Sequence, residues 1–154
     1  MNSFHSTTYQ IVWATKYRRK TMEKFNRRRL YLYLHNIMLK YECHVLRING
    51  VSDHLHIILS IPPKVCISKL VKELKQDSSK WIRVNSIFST WTGWQRGFFV
   101  ASYAYEARKN LVDYVKRQEE HHGETNLPAK ETCREELTRL LDEFGISWEE
   151  AFLD

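Results

Sequence analysis

A chain of 154 residues with 43% hydrophobic and 13% aromatic residues, and only 5 Gly and 3 Pro, suits one folded domain and excludes a disordered or low-complexity protein. Its net charge of +6 is uneven: residues 1–118 hold 21 basic and 7 acidic residues, residues 119–154 hold 3 and 11, so the basic body points to a polyanion such as nucleic acid. No apolar run approaches the roughly 18 residues of a membrane span, no signal-peptide order opens the chain, and Cys43, Cys66 and Cys133 form no CxxC pair; we expect a cytoplasmic protein with reduced thiols.

The sequence reads as a single domain over residues 1–154, with a core at about 8–122 and a C-terminal helix and tail over 130–154. Residues 8–15 alternate as a first strand, with Tyr9, Ile11 and Trp13 on one side, and open into Lys16-Tyr17-Arg18-Arg19-Lys20. From about Lys24 to Tyr41, Leu30, Leu34, Ile37, Met38 and Tyr41 keep the helical period, with Arg27, Arg28 and Arg29 near its start. Cys43 to Ile48 predicts a second strand, Asn49-Gly50 a turn, and Asp53 to Ile61 a third strand in hairpin with the second. Pro62-Pro63 stops it.

A second amphipathic helix follows on Ile67, Leu70, Val71, Leu74, Trp81 and Ile82, with Lys69, Lys72, Lys75 and Lys80 mainly off the stripe. After a polar, Trp-containing connection over 84–96, residues 97–103 predict a fourth strand and 106–121 a third helix burying Ala107, Leu111 and Val115. Beyond Pro128 lies a last helix, opened by the capping box Thr132-x-x-Glu135, striped by Leu137, Leu140, Leu141 and Phe144, and ended by Gly145. The acidic end is read as a solvated helix and tail, with an internal competitor for the DNA groove as the second reading.

The order β-α-β-β-α-β plus two C-terminal helices is that of an α+β, ferredoxin-like antiparallel sheet. Its helices must cover the apolar side of the third strand, Leu55, Ile57, Leu59 and Ile61. His54 and His56 then lie on the opposite face, their Cα atoms about 6.5–7 Å apart, close enough for both rings to reach one ion. The third helix is the candidate to cover them.

On that helix Tyr114 and Gln118 are four residues apart and share a face. A phenol can attack phosphorus and stay attached as an ester, splitting a strand exchange into two steps. A divalent ion on two imidazoles can neutralise charge on the scissile phosphate, and the Gln118 amide oxygen would be a neutral third ligand.

These residues match a known pattern. Trp13-Ala14-Thr15-Lys16-Tyr17-Arg18-Arg19-Lys20, Val51-Ser52-Asp53-His54-Leu55-His56 through Ile61-Pro62-Pro63, and Tyr114-Val115-Lys116-Arg117-Gln118-Glu119-Glu120-His121-His122 resemble the single-tyrosine HUH (histidine, hydrophobic, histidine) transposases of small insertion sequences. The resemblance extends to Glu143-Phe144-Gly145-Ile146 and Ala151-Phe152-Leu153; residues 98–105 depart from it, being more aromatic than the serine-rich stretch expected there. It implies His54, His56 and Gln118 as ligands of Mg2+ or Mn2+ and Tyr114 as the nucleophile, forming a 5′-phosphotyrosine link and a free 3′-hydroxyl. It also implies single-stranded DNA with hairpin ends as the substrate, and a homodimer whose sites are composite, the tyrosine helix of one subunit reaching the histidines of the other.

Taken singly, each residue has a plainer reading: a buried strand histidine, a core tyrosine, a surface glutamine. Their joint spacing favours the site. His121-His122 reads as a cation pair at a helix C-terminus. Asp53 orients a histidine or finishes the turn, the turn being favoured. Lys16, Tyr17, Arg18, Arg19, Lys20, Arg27 and Arg28 read as DNA contacts, phosphates for the cations and base stacking for Tyr17. The alternative function is a non-catalytic hairpin or single-strand binder of the RNA-recognition type, whose strand order is the same.

Overall fold

The apolar side of the third strand decides how the layers stack. In the computed structural model, which describes residues 3–125 and 128–147, the elements are β1 (Tyr9–Ala14), α1 (Lys24–Lys40), β2 (His44–Gly50), β3 (His54–Ser60), α2 (Ile67–Val84), β4 (Phe99–Ser102), α3 (Arg108–Lys116), α4 (Gln118–His121) and α5 (Cys133–Glu143). The sheet is antiparallel throughout, in the order β2-β3-β1-β4, the ferredoxin-like topology. The segment Ala151-Phe152-Leu153 lies outside the described residues.

Against one face of the sheet pack α1, with Leu30, Leu34 and Met38, and α2, with Leu70, Leu74 and Ile82; all six meet Ile11, Leu55, Ile57 and Leu59 in one core. Each such buried aliphatic side chain contributes about 1.5–3 kcal/mol, which fixes the register of β3 and with it the side to which His54 and His56 point. The connection after α2 is tied down by Trp94, whose ring meets Trp13 edge-on at 5.8 Å, and by Lys75, whose Nζ donates to Gln95 O at 2.6 Å and Gly97 O at 2.8 Å.

The opposite face carries two covers. α3 lies over β2 and β3, as expected. The helix of the acidic end is not solvated on all sides as expected: α5 lies over β1 and β4, where Leu140 joins Val12, Phe99 and Ala101, and Phe144 meets Tyr103 edge-on at 5.2 Å; the tail over 148–154 lies outside the described residues. Cys133, Leu137, Leu140 and Phe144 fall on one helical stripe, so the helix docks for the ordinary reason.

Two boundaries differ from the sequence reading. Asn49 and Gly50 remain in β2, paired with His56 and Leu55, and the turn is 51–53. Gly50 is needed there because a Cβ would stand 2.5 Å from His54 O. The helix expected over 106–121 begins as a single turn at Tyr105–Ala107 and breaks at Arg117 (φ −98°, ψ 19°), so Tyr114 and Gln118 belong to separate segments.

Candidate metal and nucleophile site

Antiparallel pairing sets Ala14 opposite His54 and Val12 opposite His56, and the strand period turns both imidazoles to the α3/α5 side. Both are buried, 1% and 0% exposed. Behind each ring stands an acceptor: Asp53 Oδ1 is 2.7 Å from His54 Nδ1, and Gln10 Oε1 is 2.8 Å from His56 Nδ1. Gln10 is held in turn by donating from Nε2 to the Tyr103 hydroxyl at 2.7 Å. An acceptor on Nδ1 keeps the proton there and leaves Nε2 to face a ligand. Asp53 therefore orients His54 as well as closing the turn.

Both Nε2 atoms converge on one oxygen, Glu136 Oε1, at 2.8 Å each. The second oxygen, Oε2, accepts a short hydrogen bond from the Tyr114 hydroxyl and a 3.1 Å bond from Gln118 Nε2. One turn further along α5, Arg139 Nη2 donates to Tyr114 Oη at 2.7 Å. The structure thus brings His54, His56, Tyr114 and Gln118 together, and around a carboxylate that sequence reasoning passed over. His122, at the C-cap of α4, turns inward rather than to solvent: its Nε2 lies 3.1 Å from Glu136 Oε1 and its side chain is 5% exposed. His121 turns to Glu131 Oε1 at 2.6 Å.

Charge in this volume is strongly coupled. Burial opposes ionisation of Glu136, but the facing His56, His122 and His54 hold its carboxyl far below the usual range. Burial likewise opposes the charge on His54, yet the Cys133 sulfur, Asp53 and Glu136 hold its pKa well above the ordinary value; burial dominates at His56 and lowers it. The Tyr114 phenol is pushed up by burial and by the Glu136 charge, with Arg139 opposing.

The donor set suits a divalent cation. Two imidazole Nε2 atoms share a focus, Gln118 Oε1 is buried without a hydrogen-bond partner, and His54, His122 and Glu136 offer ligand atoms within 4.8 Å of one another. The face that an RNA-recognition module keeps open for stacking is here covered by α3 and α5.

The basic segment starts where β1 ends, beside the histidine turn: Thr15 N–H donates to Asp53 O at 2.8 Å and Met22 N–H to Ser52 O at 2.9 Å. Lys16, Arg19, Lys20 and Arg28 are exposed, and Tyr17 is 65% exposed with the Lys16 and Arg19 cations over its ring. Arg18 is half-buried. Arg27 is not presented to a ligand: it is 5% exposed, and it donates to Met22 O at 2.8 Å and Glu124 Oε1 at 2.6 Å. No helix among the described residues is long and apolar enough to cross a membrane.

Residues 3–118 match the family described as transposase, IS200-like. The chain is 30% identical over 115 residues to the transposase for insertion sequence element IS200 of Salmonella typhimurium (strain LT2), covering 71% of this chain and 75% of the relative, and equally to that of Salmonella typhi. Among solved structures it is similar to a transposase from Deinococcus radiodurans R1, with TM-score 0.58 and 24% identity over 77% of this chain and 95% of that one. It is also similar to a REP-associated tyrosine transposase bound to a REP hairpin, with TM-score 0.62 and 15% identity over 82% and 77% of the two chains.

Proposed function

The chain belongs to the family of IS200-like transposases, and from that premise we propose that it cleaves and rejoins single-stranded DNA at hairpin-bearing ends with Tyr114 as nucleophile. One observation carries the reading: the Tyr114 hydroxyl and the Nε2 atoms of His54 and His56 address the same carboxylate, so nucleophile and ligands face one volume.

Tyr114 Oη attacks the scissile phosphorus, the bond to the 3′-oxygen breaks, and the proton the phenol gives up is balanced by the one the departing 3′-oxygen takes. The products are a 5′-phosphotyrosine and a free 3′-hydroxyl. Attack by another strand's 3′-hydroxyl reverses the step and restores the phosphodiester, so each bond broken is matched by one formed. Arg139, which donates to Tyr114 Oη, favours the phenolate as the proton departs. His54, His56 and the Gln118 amide oxygen would hold Mg2+ or Mn2+, which supplies neutralising charge at the phosphate oxygens. Exposed Lys16, Arg19, Lys20 and Arg28 contact the DNA backbone beside the histidine turn, with Tyr17 placed to stack on an unpaired base. The hairpin in the substrate is supported by the likeness to the REP-hairpin-bound transposase.

The test is a covalent adduct. Protein, Mn2+ and an oligonucleotide carrying an element-end hairpin should give a shifted band on a denaturing gel; Tyr114→Phe should bind the hairpin and leave no shifted band. An adduct with that variant would remove Tyr114 from its role. For a homodimer with composite sites, mixing His56→Ala with Tyr114→Phe subunits should restore some cleavage. Complete inactivity of a verified heterodimer would instead place the tyrosine in its own subunit's site.

A further inference from the structure

We propose that His122 is a third imidazole ligand of the ion held by His54 and His56, which makes the centre nitrogen-rich and favours first-row transition-metal cations over Mg2+. The inference rests on the metal-dependent reading above and adds a ligand to it. His122 lies beyond residue 118, where the match to the family ends.

Three nitrogens meet at one point. The Nε2 atoms of His54, His56 and His122 stand 2.8, 2.8 and 3.1 Å from Glu136 Oε1. The His122 ring meets that of His54 edge-on, with centroids 4.5 Å apart. Gln118 and His122 are joined across α4 by a 3.0 Å bond from His122 N–H to Gln118 O, so the segment that carries the amide ligand carries the third imidazole too.

Each ring is also backed in the same manner. His122 Nδ1 faces Glu131 O at 2.7 Å, as His54 Nδ1 faces Asp53 Oδ1 and His56 Nδ1 faces Gln10 Oε1. All six ring nitrogens face oxygen acceptors, three of them separate acceptors behind the rings and the fourth shared by the three Nε2 atoms. With the Nδ1 sides taken by their own acceptors, the three Nε2 atoms are left aimed at one focus, where a divalent ion can take a lone pair from each and give the Glu136 carboxylate a counter-charge. His121 is excluded from this set, since its Nε2 is taken by Glu131.

Mg2+ prefers oxygen and holds its water tightly, whereas the first-row divalent cations, Mn2+ least and the later ones more strongly, take imidazole more readily. A third nitrogen therefore shifts preference among metals, which a merely structural histidine would not do.

The experiment uses the full chain with Mn2+ as the probe. Pulsed electron paramagnetic resonance counts the 14N nuclei coupled to bound Mn2+, and titration gives Kd for Mn2+ and Mg2+. The wild type should couple three nitrogens. His122→Ala should couple two, weaken Mn2+ at least about tenfold, and change Mg2+ less than about threefold. Two nitrogens in the wild-type spectrum would overturn the proposal with no variant needed; so would an unchanged Mn2+ Kd in a folded His122→Ala. His54→Ala separates the two levels: if it loses Mn2+ while His122→Ala does not, only the third ligand is wrong. If His54→Ala keeps the ion, the metal reading itself falls.

Discussion

Glu136→Gln replaces the hub of the site with its closest isostere. The carboxylate is 1% exposed; the Nε2 atoms of His54 and His56 stand 2.8 Å from it and that of His122 3.1 Å, and it accepts from Gln118 at 3.1 Å and from the Tyr114 hydroxyl. Removing one partner of a buried ion pair costs about 3–5 kcal/mol, because the other is left uncompensated. Asp53 still faces His54, so the lower end applies, about 3 kcal/mol. For a domain of this size 1 kcal/mol moves Tm by about 2–4 °C, which gives a fall of about 6–12 °C. Thermal unfolding of both proteins in chelator at pH 7 reads this directly. In saturating Mn2+ the gap should shrink by at least half, since the imidazoles then have a cation to address. A variant whose metal-free Tm lies within about 2 °C of the wild type would refute the description of Glu136 as the counter-charge of the site.

Glu124 offers a separate pH test. It accepts from Ser52 N at 2.8 Å, Ser52 Oγ at 2.6 Å and Arg27 Nη2 at 2.6 Å, and although burial opposes its charge, Ser52 and Arg27 hold its pKa below the usual 4.5. A depressed carboxyl pKa stabilises above the unfolded value and loses that contribution as pH falls through the folded one. Glu124→Gln should therefore cost about 2–3 kcal/mol at pH 7, and the difference in Tm should close as pH falls below 4.5; a gap that widened in acid would contradict the pairing. Asn49 Nδ2 donates to Val115 O at 3.0 Å and Lys116 O at 3.1 Å, closing the C-terminal end of the tyrosine helix against β2. Asn49→Ala should cost about 0.5–1.5 kcal/mol and slow adduct formation more than hairpin binding, measured by single-turnover gels beside a binding titration; equal losses in both would argue against a positioning role.

What could be read in advance follows the reach of each signal. Alternation along 53–61 placed His54 and His56 on one face, and the helical period placed the core of α1 and α2, because both signals are local. The i, i+4 relation of Tyr114 and Gln118 was legible too, but the break between them was not, since neither Gly nor Pro marks Arg117. Glu136 was hidden by its distance: it is 80 residues from His56, and acidic residues in a helix ordinarily face water. One clue existed, for Glu136 lies between Cys133 and Leu140 on a stripe otherwise apolar, where a carboxylate needs a partner. Gln10 carried the same kind of clue, alternating onto the histidine face of β1. Arg27 misled because a basic cluster says nothing of which member turns inward.

The break at Arg117 builds the site from two separately oriented pieces. Gln118 and His122 ride on a four-residue turn pinned by the carboxylate and by Glu131 O, while Tyr114 rides on its own nine-residue rod. A single residue's pair of backbone dihedrals joins them, so the direction of the rod is set separately from that of the turn carrying the ligands. A tyrosine esterified to a DNA end has to exchange one 3′-hydroxyl partner for another. Here its carrier is a helix distinct from the turn that holds Gln118 and His122, and the chain changes direction between the two at Arg117.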